Sequence, residues 1–117
     1  MDEILANPSN RRALRLMINQ QADIRFILLE NDLTATTTGW TWRLCLKRYP
    51  GDRQSIFCLT LNNGLRYEVY SDVVLLAHMT SAQLNIEEGE YYWKLERTDI
   101  EKTVIDGVAY VTFDTRE

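Results

Sequence analysis

The sequence has few of the side chains that carry out covalent or metal chemistry. It contains one histidine, His78, and two cysteines, Cys45 and Cys58. A structural zinc site takes four ligands drawn mostly from these residue types, so the chain lacks a ligand set for zinc. A lone histidine beside Met79 and Thr80 is rarely a general base, because its neighbours must position a base against the substrate.

Loops that bind phosphate or calcium are also missing. The five glycines are isolated, so no glycine-rich loop that would cradle a phosphate occurs. Glu87, Glu88 and Glu90 surround a glycine, but they lack the alternating Asp and Asn pattern of a calcium loop. We therefore expect no catalytic residues, no metal and no cofactor, and we expect that the protein is not an enzyme.

The sequence shows neither a membrane span nor a secretion signal. No run of about 18 apolar residues occurs, and Met1-Asp2-Glu3 lacks the basic region that begins a signal peptide. The net charge of −4 gives no general excess of basic residues for a nucleic-acid backbone. We expect a soluble protein, made in the cytoplasm, that binds neither nucleic acid nor membranes.

The two cysteines fall in predicted strands, and two states are open to them. A disulfide between neighbouring strands would join Cys45 to Cys58. Two cysteines without a secretion signal are more typical of buried free thiols, because cytosolic thiols are kept reduced. We expect both cysteines to be free and to act as small packing residues.

Two tryptophan-rich segments organise the rest of the chain. In residues 40–47 the apolar side chains fall at every second position, beginning with Trp40, which is typical of a half-buried strand. Residues 91–97 alternate in the same way, with Trp93 on the apolar face and Tyr92 on the solvent face. Because large rings bury the most area per residue, we expect these strands to face each other or to lie side by side in one core.

The remaining apolar segments are short and are separated by turn residues at roughly even spacing. Pro50-Gly51 and Asn62-Asn63-Gly64 are typical of tight turns. Thr80-Ser81-Ala82-Gln83 matches a helix-capping pattern, which predicts one short helical turn over about residues 81–84. The sequence therefore predicts an all-β fold, an antiparallel β-sandwich of about seven or eight strands with one short helical turn.

The 117 residues are enough for one domain and too few for two. We place the domain at residues 13–117 and an N-terminal arm at residues 1–12, which are polar apart from Ile4 and Leu5. The cluster Asn7-Pro8-Ser9-Asn10 interrupts regular structure there. Two interpretations of the arm are open: a frayed terminus, or a segment that orders against a neighbouring subunit with Ile4 and Leu5 as its anchor.

Exposed aromatic side chains are the other candidates for a binding surface. Trp40 lies at a strand entrance and Tyr92 lies on the solvent face of its strand, so both are candidates for contact with a protein or a sugar. Aromatic side chains in sandwich strands are more often packed than free. The predicted partner-binding residues are therefore Ile4, Leu5, Trp40 and Tyr92.

Several short motifs follow one another along the chain. They are Ile18-Asn19-Gln20-Gln21-Ala22-Asp23-Ile24, Leu33-Thr34 followed by Gly39-Trp40-Thr41-Trp42-Arg43-Leu44, Thr80-Ser81-Ala82-Gln83, Gly89-Glu90-Tyr91-Tyr92-Trp93-Lys94-Leu95-Glu96 and Asp106-Gly107-Val108. In order and spacing they resemble small immunoglobulin-like structural domains of phages, over about residues 13–113. That family is similar to the N-terminal domain of phage baseplate upper proteins and to stand-alone virion accessory proteins. Gln21 replaces the usual glycine of the first motif.

This resemblance implies an immunoglobulin-like β-sandwich without a catalytic set, whose function depends on its surfaces. It implies a bacteriophage or prophage virion protein, made in the host cytoplasm, that docks on capsid, fibre, neck or tail proteins in multiple copies or as a homo-oligomer. The receptor-binding or fibre modules of longer relatives are absent here, which favours a docking or decoration unit on the head exterior or at a head fibre.

Three alternatives remain from the sequence. The first is a tail baseplate or neck adaptor protein. The second is a carbohydrate-binding β-sandwich module, for which a glycan is the ligand and exposed aromatic rings form the platform. The third is a small hydrolase, which needs a polar pocket around His78.

Overall fold

The computed structural model describes residues 2–6, 13–30, 33–34, 39–69 and 73–113. The strands in these residues are β1 (Asp2–Ala6), β2 (Leu14–Met17), β3 (Ala22–Glu30), β4 (Leu33–Thr34), β5 (Trp42–Lys47), β6 (Phe57–Leu61), β7 (Gly64–Tyr67), β8 (Val74–Met79), β9 (Gly89–Arg97) and β10 (Lys102–Thr112). The described residues contain no helix, so none of them forms a helix that spans a membrane. The all-β prediction is confirmed, and the described ranges contain ten strands instead of the predicted seven or eight.

These strands form one curled sheet. Its order is β1-β3-β8-β7-β6-β5-β9-β10-β2, and β4 pairs with β3 outside this path. The pairs β1–β3, β6–β7 and β2–β10 are parallel, and the other pairs are antiparallel. β6 and β7 pair at two positions only, Thr60 with Gly64 and Leu61 with Leu65, and the turn at residues 62–63 joins the two strands.

Aromatic contacts show that distant parts of the strand order meet across the core. The ring centroids of Phe26 in β3 and Trp93 in β9 are 5.9 Å apart, although β8, β7, β6 and β5 lie between these strands in the order. The indole Nε1 of Trp42 in β5 donates a hydrogen bond to the hydroxyl of Tyr67 in β7, with 2.8 Å between the atoms. The sheet therefore curls until its inner face packs against itself.

The two tryptophan strands lie side by side at the centre of this arrangement. Leu46 of β5 pairs with Trp93 of β9, and Leu44 pairs with Leu95. Trp42 and Trp93 are each 2% exposed, so both rings belong to the core. The apolar face predicted for each strand is buried: Trp42, Leu44 and Leu46 in β5, and Tyr91, Trp93 and Leu95 in β9.

The described part of the N-terminal segment is a strand of the sheet. β1 runs parallel to β3, with Ile4 opposite Phe26 and Leu5 opposite Ile27. Ile4 is 1% exposed and packs in the chain's own core, whereas Leu5 on the other face is 47% exposed. Asp2–Ala6 is therefore a strand of the sheet, and the rest of the predicted arm lies outside the described residues.

The two cysteines form a disulfide, which corrects the prediction of free thiols. Cys45 of β5 and Cys58 of β6 are directly opposite each other in an antiparallel pair, and their Cα atoms are 4.1 Å apart. Side chains of directly opposed residues share a face and come within reach of each other. The expected cellular compartment carries no information on strand register, and the register decides that these two cysteines meet.

The predicted helical turn is a hydrogen-bonded turn without a helix. The capping contacts are present: the backbone N–H of Gln83 donates to Thr80 Oγ1 at 3.1 Å, and the backbone N–H of Thr80 donates to Gln83 Oε1 at 2.9 Å. The carbonyl of Leu84 accepts from the backbone N–H of Asn19 at 3.0 Å. In a longer helix this carbonyl would accept from a backbone N–H four residues further along the chain. Here it accepts from Asn19 instead, and the turn does not continue as a helix.

Candidate functional site

The register of β5, β9 and β10 arranges six outward side chains in two rows. The first row is Lys47, Tyr92 and Val108, and the second row is Cys45, Lys94 and Asp106. Directly opposed side chains on neighbouring strands have Cβ atoms about 4.5–5.5 Å apart, so each row is compact. Successive rows lie two residues apart along each strand, which is roughly 6.8 Å.

These two rows line a groove on the outer face of the sheet, which we call the outer groove. Ala13, Pro50, Trp93 and Gly107 complete its lining, and its volume is about 530 Å³. Pro50 comes from the turn after β5, and Ala13 directly precedes β2. A volume of this size is typical of a site that accepts a small ligand or a few side chains of a partner.

Tyr92, one of the predicted partner-binding residues, lies half-buried in the outer groove. Its hydroxyl donates a hydrogen bond to Glu90 Oε1 at 3.3 Å. The negative charge of Glu90 raises the pKa of Tyr92, because a nearby carboxylate disfavours the phenolate. Tyr92 is therefore a neutral hydrogen-bond donor with an apolar ring at neutral pH.

Two lysines bring positive charge into the outer groove. Lys47 Nζ donates to the backbone carbonyl of Asp52 at 2.9 Å, and Lys94 Nζ lies 3.6 Å from Glu96 Oε2. Glu96 is shared with Arg43, whose NH2 is 2.6 Å from Glu96 Oε1. An ammonium group has three N–H donors, so each lysine retains donors beyond these contacts.

The disulfide forms part of the border of this groove. Cys45 lines the groove and is 7% exposed, and its partner Cys58 is half-buried on β6. A sulfur in a disulfide is not a thiolate, so neither cysteine is a nucleophile while the bond is intact. The border is thus apolar and covalently fixed.

Trp40, another predicted partner-binding residue, is half-buried and packed against the protein itself. Arg97 Cζ lies 3.4 Å from the centroid of the Trp40 ring, and the Trp42 centroid is 5.7 Å away. Arg97 is held over the ring by Asp99, with 2.6 Å between Arg97 NH2 and Asp99 Oδ2. This face of Trp40 is therefore occupied by a cation–π contact with Arg97 and is no open platform.

Asp99 makes the Trp40 end of the sheet sensitive to acid. Hydrogen bonds from Arg97 and from the backbone N–H of Thr41 lower the pKa of Asp99. A lowered folded-state pKa contributes stability above the unfolded pKa, and this stability is lost as the pH falls through the folded value. We expect Asp99→Asn to reduce the loss of melting temperature below about pH 4, measured by circular dichroism. An acid slope equal to that of the wild type would contradict this role.

The remaining predicted site residues lie away from the outer groove. Ile4 is in the core, and Leu5 is exposed on β1 at the far end of the strand order. His78 Nδ1 is 2.8 Å from Asp23 Oδ1 beside a second groove of about 410 Å³. The described residues lining this second groove include no hydroxyl, thiol or amine nucleophile. No group of three metal-ligating side chains occurs in the described ranges.

The structure adds residues to the site that the sequence analysis does not name. Lys47, Lys94, Val108 and Asp106 join Tyr92 only through the pairing of three strands. A signal for two of them is present in the sequence, since Lys47 and Lys94 occupy the solvent faces of the two tryptophan strands. Pairing these strands in register brings the lysines to diagonal positions beside Tyr92.

No family model matches the sequence, and no curated protein sequence matches it. Among solved structures, a candidate glycoside hydrolase from Bacteroides vulgatus is similar, with a TM-score of 0.51 and 7% identity over 87% of this chain and 17% of that chain. The NK cell receptor Nkp44 has a TM-score of 0.45 and 9% identity over 90% of this chain and 99% of that chain.

The likeness to the Bacteroides protein concerns the fold and not the function. This chain spans 17% of the Bacteroides protein, and the likeness shows that part of that protein has a related β fold. Neither description concerns a phage particle. The resemblance to phage virion domains therefore rests on the sequence motifs.

Proposed function

We propose that this chain is a non-enzymatic structural protein of a bacteriophage or prophage particle, and that it docks on other virion proteins through the outer groove. The observation that carries the docking role is the groove itself, where an aromatic ring, two ammonium groups and an apolar border converge. Aromatic and apolar side chains ringed by polar groups are what protein-binding surfaces use. The order of the sequence motifs supports the virion role.

The proposal includes an immunoglobulin-like β-sandwich as the form of the curled sheet. One layer is β1, β3, β8 and β7, and the other is β6, β5, β9, β10 and β2. The contact of Phe26 with Trp93 and the hydrogen bond from Trp42 to Tyr67 both join these two layers. Packing of two inner faces through interdigitating side chains is how a sandwich builds its core.

The disulfide supports action outside a reducing cytoplasm. Disulfides persist in oxidising surroundings and are rare where thioredoxin and glutathione keep thiols reduced. A virion protein is made in the host cytoplasm and works on a particle after release. The bond between Cys45 and Cys58 fits that history.

Within the particle, we propose the head exterior or a head-fibre attachment as the location, with a tail baseplate or neck adaptor as the alternative. A groove of this size gives a modest interface for a single copy. Repetition of the domain on a shell or ring makes modest interfaces effective through multivalency. The copy number separates the two locations.

The test is mass spectrometry of purified particles, quantifying this chain against the major capsid protein. We expect the chain to be present. A copy number comparable with that of the capsid protein indicates a head decoration role, and a far lower number indicates a vertex, neck or baseplate role. Absence of the chain from purified particles would overturn the proposal.

A substitution in the groove tests the docking surface itself. We expect Tyr92→Ala to fold and to be depleted from particles, because it removes the ring from the groove. Tyr110→Ala is the matched control, since Tyr110 is an exposed tyrosine of β10 outside the groove lining. Equal incorporation of both variants would show that docking uses another surface.

The carbohydrate-binding alternative is favoured by the same tyrosine, because a ring beside Lys94 and Asp106 is also an arrangement that a sugar would use. Trp93 lies between Tyr92 and Lys94 in β9, so its fluorescence is the reporter for this test. Quenching of tryptophan fluorescence that saturates with a saccharide would favour this alternative. We expect no such quenching.

A further inference from the structure

We propose that the occupant of the outer groove is an extended segment of a partner protein that carries a carboxylate side chain. In this arrangement Lys47 and Lys94 bind the carboxylate, and an adjacent side chain of the segment packs on Tyr92 and Val108. The inference rests on the proposed docking function and names the chemistry of the partner.

Charge is the first support for this occupant. The groove lining contains two lysines and one aspartate, Asp106, so its charged side chains carry a net positive charge. The whole chain has a net charge of −4. A positive groove on an otherwise acidic protein attracts an acidic group and orients its approach.

The second support is the register of the two lysines on neighbouring strands. Lys47 pairs with Tyr92 and Lys94 pairs with Cys45, so the two lysines are diagonal neighbours on adjacent strands. Diagonal neighbours in a sheet are within reach of the same group when their side chains are long. Each lysine retains N–H donors, and charge-assisted hydrogen bonds to a carboxylate are the stronger kind.

The third support is the spacing between the two rows of side chains that line the outer groove. Its two rows are separated by two residues along the strands, roughly 6.8 Å. An extended segment lying along the strands repeats its same-face side chains at this spacing. A carboxylate held over the Lys94 row therefore places the next same-face side chain of the segment over the row of Lys47, Tyr92 and Val108. The Tyr92 hydroxyl is neutral and already donates to Glu90 Oε1, so Tyr92 contributes the apolar face of its ring.

The experiment titrates isotope-labelled protein with a capped hexaglutamate peptide and follows backbone amide shifts by NMR. We expect saturable shifts at Tyr92, Lys94 and Val108 that weaken as salt is added, because exposed charges are screened. A capped hexalysine peptide should produce none. The double variant Lys47→Gln and Lys94→Gln should bind hexaglutamate about tenfold more weakly, as expected for the loss of two surface ion pairs.

A control variant removes the same amount of charge elsewhere. Arg66→Gln with Lys102→Gln lies outside the groove lining and should leave hexaglutamate affinity within about twofold of the wild type. The amide spectra of both double variants also report whether the fold is intact. If both double variants bound hexaglutamate equally weakly, the loss of affinity would come from the change in net charge alone. That result would overturn the proposal.

Two further outcomes also overturn it. One is the absence of saturable shifts with hexaglutamate. The other is saturable binding of oligogalacturonate in the groove without binding of the peptide, which would assign the site to acidic saccharides. Failure of this inference differs from failure of the proposed function: a chain that is present in particles but does not bind hexaglutamate loses only the carboxylate partner. A chain that binds hexaglutamate but is absent from particles loses only the virion role.

Discussion

Replacing Trp93 with alanine is expected to remove a large part of the stability of the domain. The side chain is 2% exposed, its ring lies 5.9 Å from that of Phe26, and its indole N–H donates to the carbonyl of Val108 at 3.1 Å. Truncating a buried tryptophan to alanine costs about 3–5 kcal/mol, because apolar contacts are lost and a cavity remains. Domains of this size have total stabilities of about 5–15 kcal/mol.

Urea unfolding followed by circular dichroism measures this effect. Trp40→Ala is the comparison, because Trp40 is half-buried under Arg97 at the rim of the core and should cost less. Trp93→Phe keeps a large ring in place and should fall between the wild type and Trp93→Ala. A Trp93→Ala protein as stable as Trp40→Ala would contradict the position of Trp93 between the two halves of the sheet.

Removing the disulfide is expected to produce the second large effect. The bond between Cys45 and Cys58 closes a loop with a sequence separation of 13 residues. Cross-linking a loop of this length stabilises a domain by about 3 kcal/mol in the chain-entropy model. The double variant Cys45→Ala and Cys58→Ala should therefore unfold at a lower urea concentration, and its melting temperature should fall by on the order of 10 °C.

Reduction of the wild-type protein provides the matched measurement. Treatment with a dithiol should move the wild-type unfolding midpoint toward that of the double variant, and the double variant itself should not respond. Labelling with a thiol reagent confirms that both sulfurs are reduced. A wild type that keeps its midpoint after complete labelling would show that the bond does not contribute to stability.

The inner faces of the central strands are predictable from the sequence, whereas the pairing between strands is not. Alternation alone places Trp42 and Trp93 in the core, because a strand has a period of two. The disulfide depends on which residue of β6 lies opposite Cys45. Alternation does not contain that register, which the length and conformation of the intervening turn determine.

The N-terminal strand β1 is difficult to predict from the sequence for a different reason. Asn7-Pro8-Ser9-Asn10 marks a break in regular structure, and such a break near a terminus favours an arm. A strand of five residues gains its stability from its neighbour, and Ile4 becomes a core residue only when β1 pairs with β3. A segment whose structure comes from a distant partner leaves a weak local signal.

The candidate site is also predictable from the sequence only in part. The solvent face of β9 identifies Tyr92 as an outward aromatic residue without any knowledge of the fold. Lys47 and Asp106 come from strands on either side of β9, so their place in the groove follows from register. One residue of a multi-strand site is thus visible in the sequence, and its neighbours emerge only with the sheet.

The pairing of β2 with β10 determines when the domain is able to finish folding. β2 lies near the start of the chain, and its partner residues in β10 extend to Thr112. A ribosome delivers β2 long before β10, so β2 has to wait for its neighbour in the sheet. Contacts between such distant parts of a chain form slowly, and unpaired strands attract other chains in the meantime. β2 therefore joins the sheet only after β10 has been made, and until then its backbone groups are open to other chains.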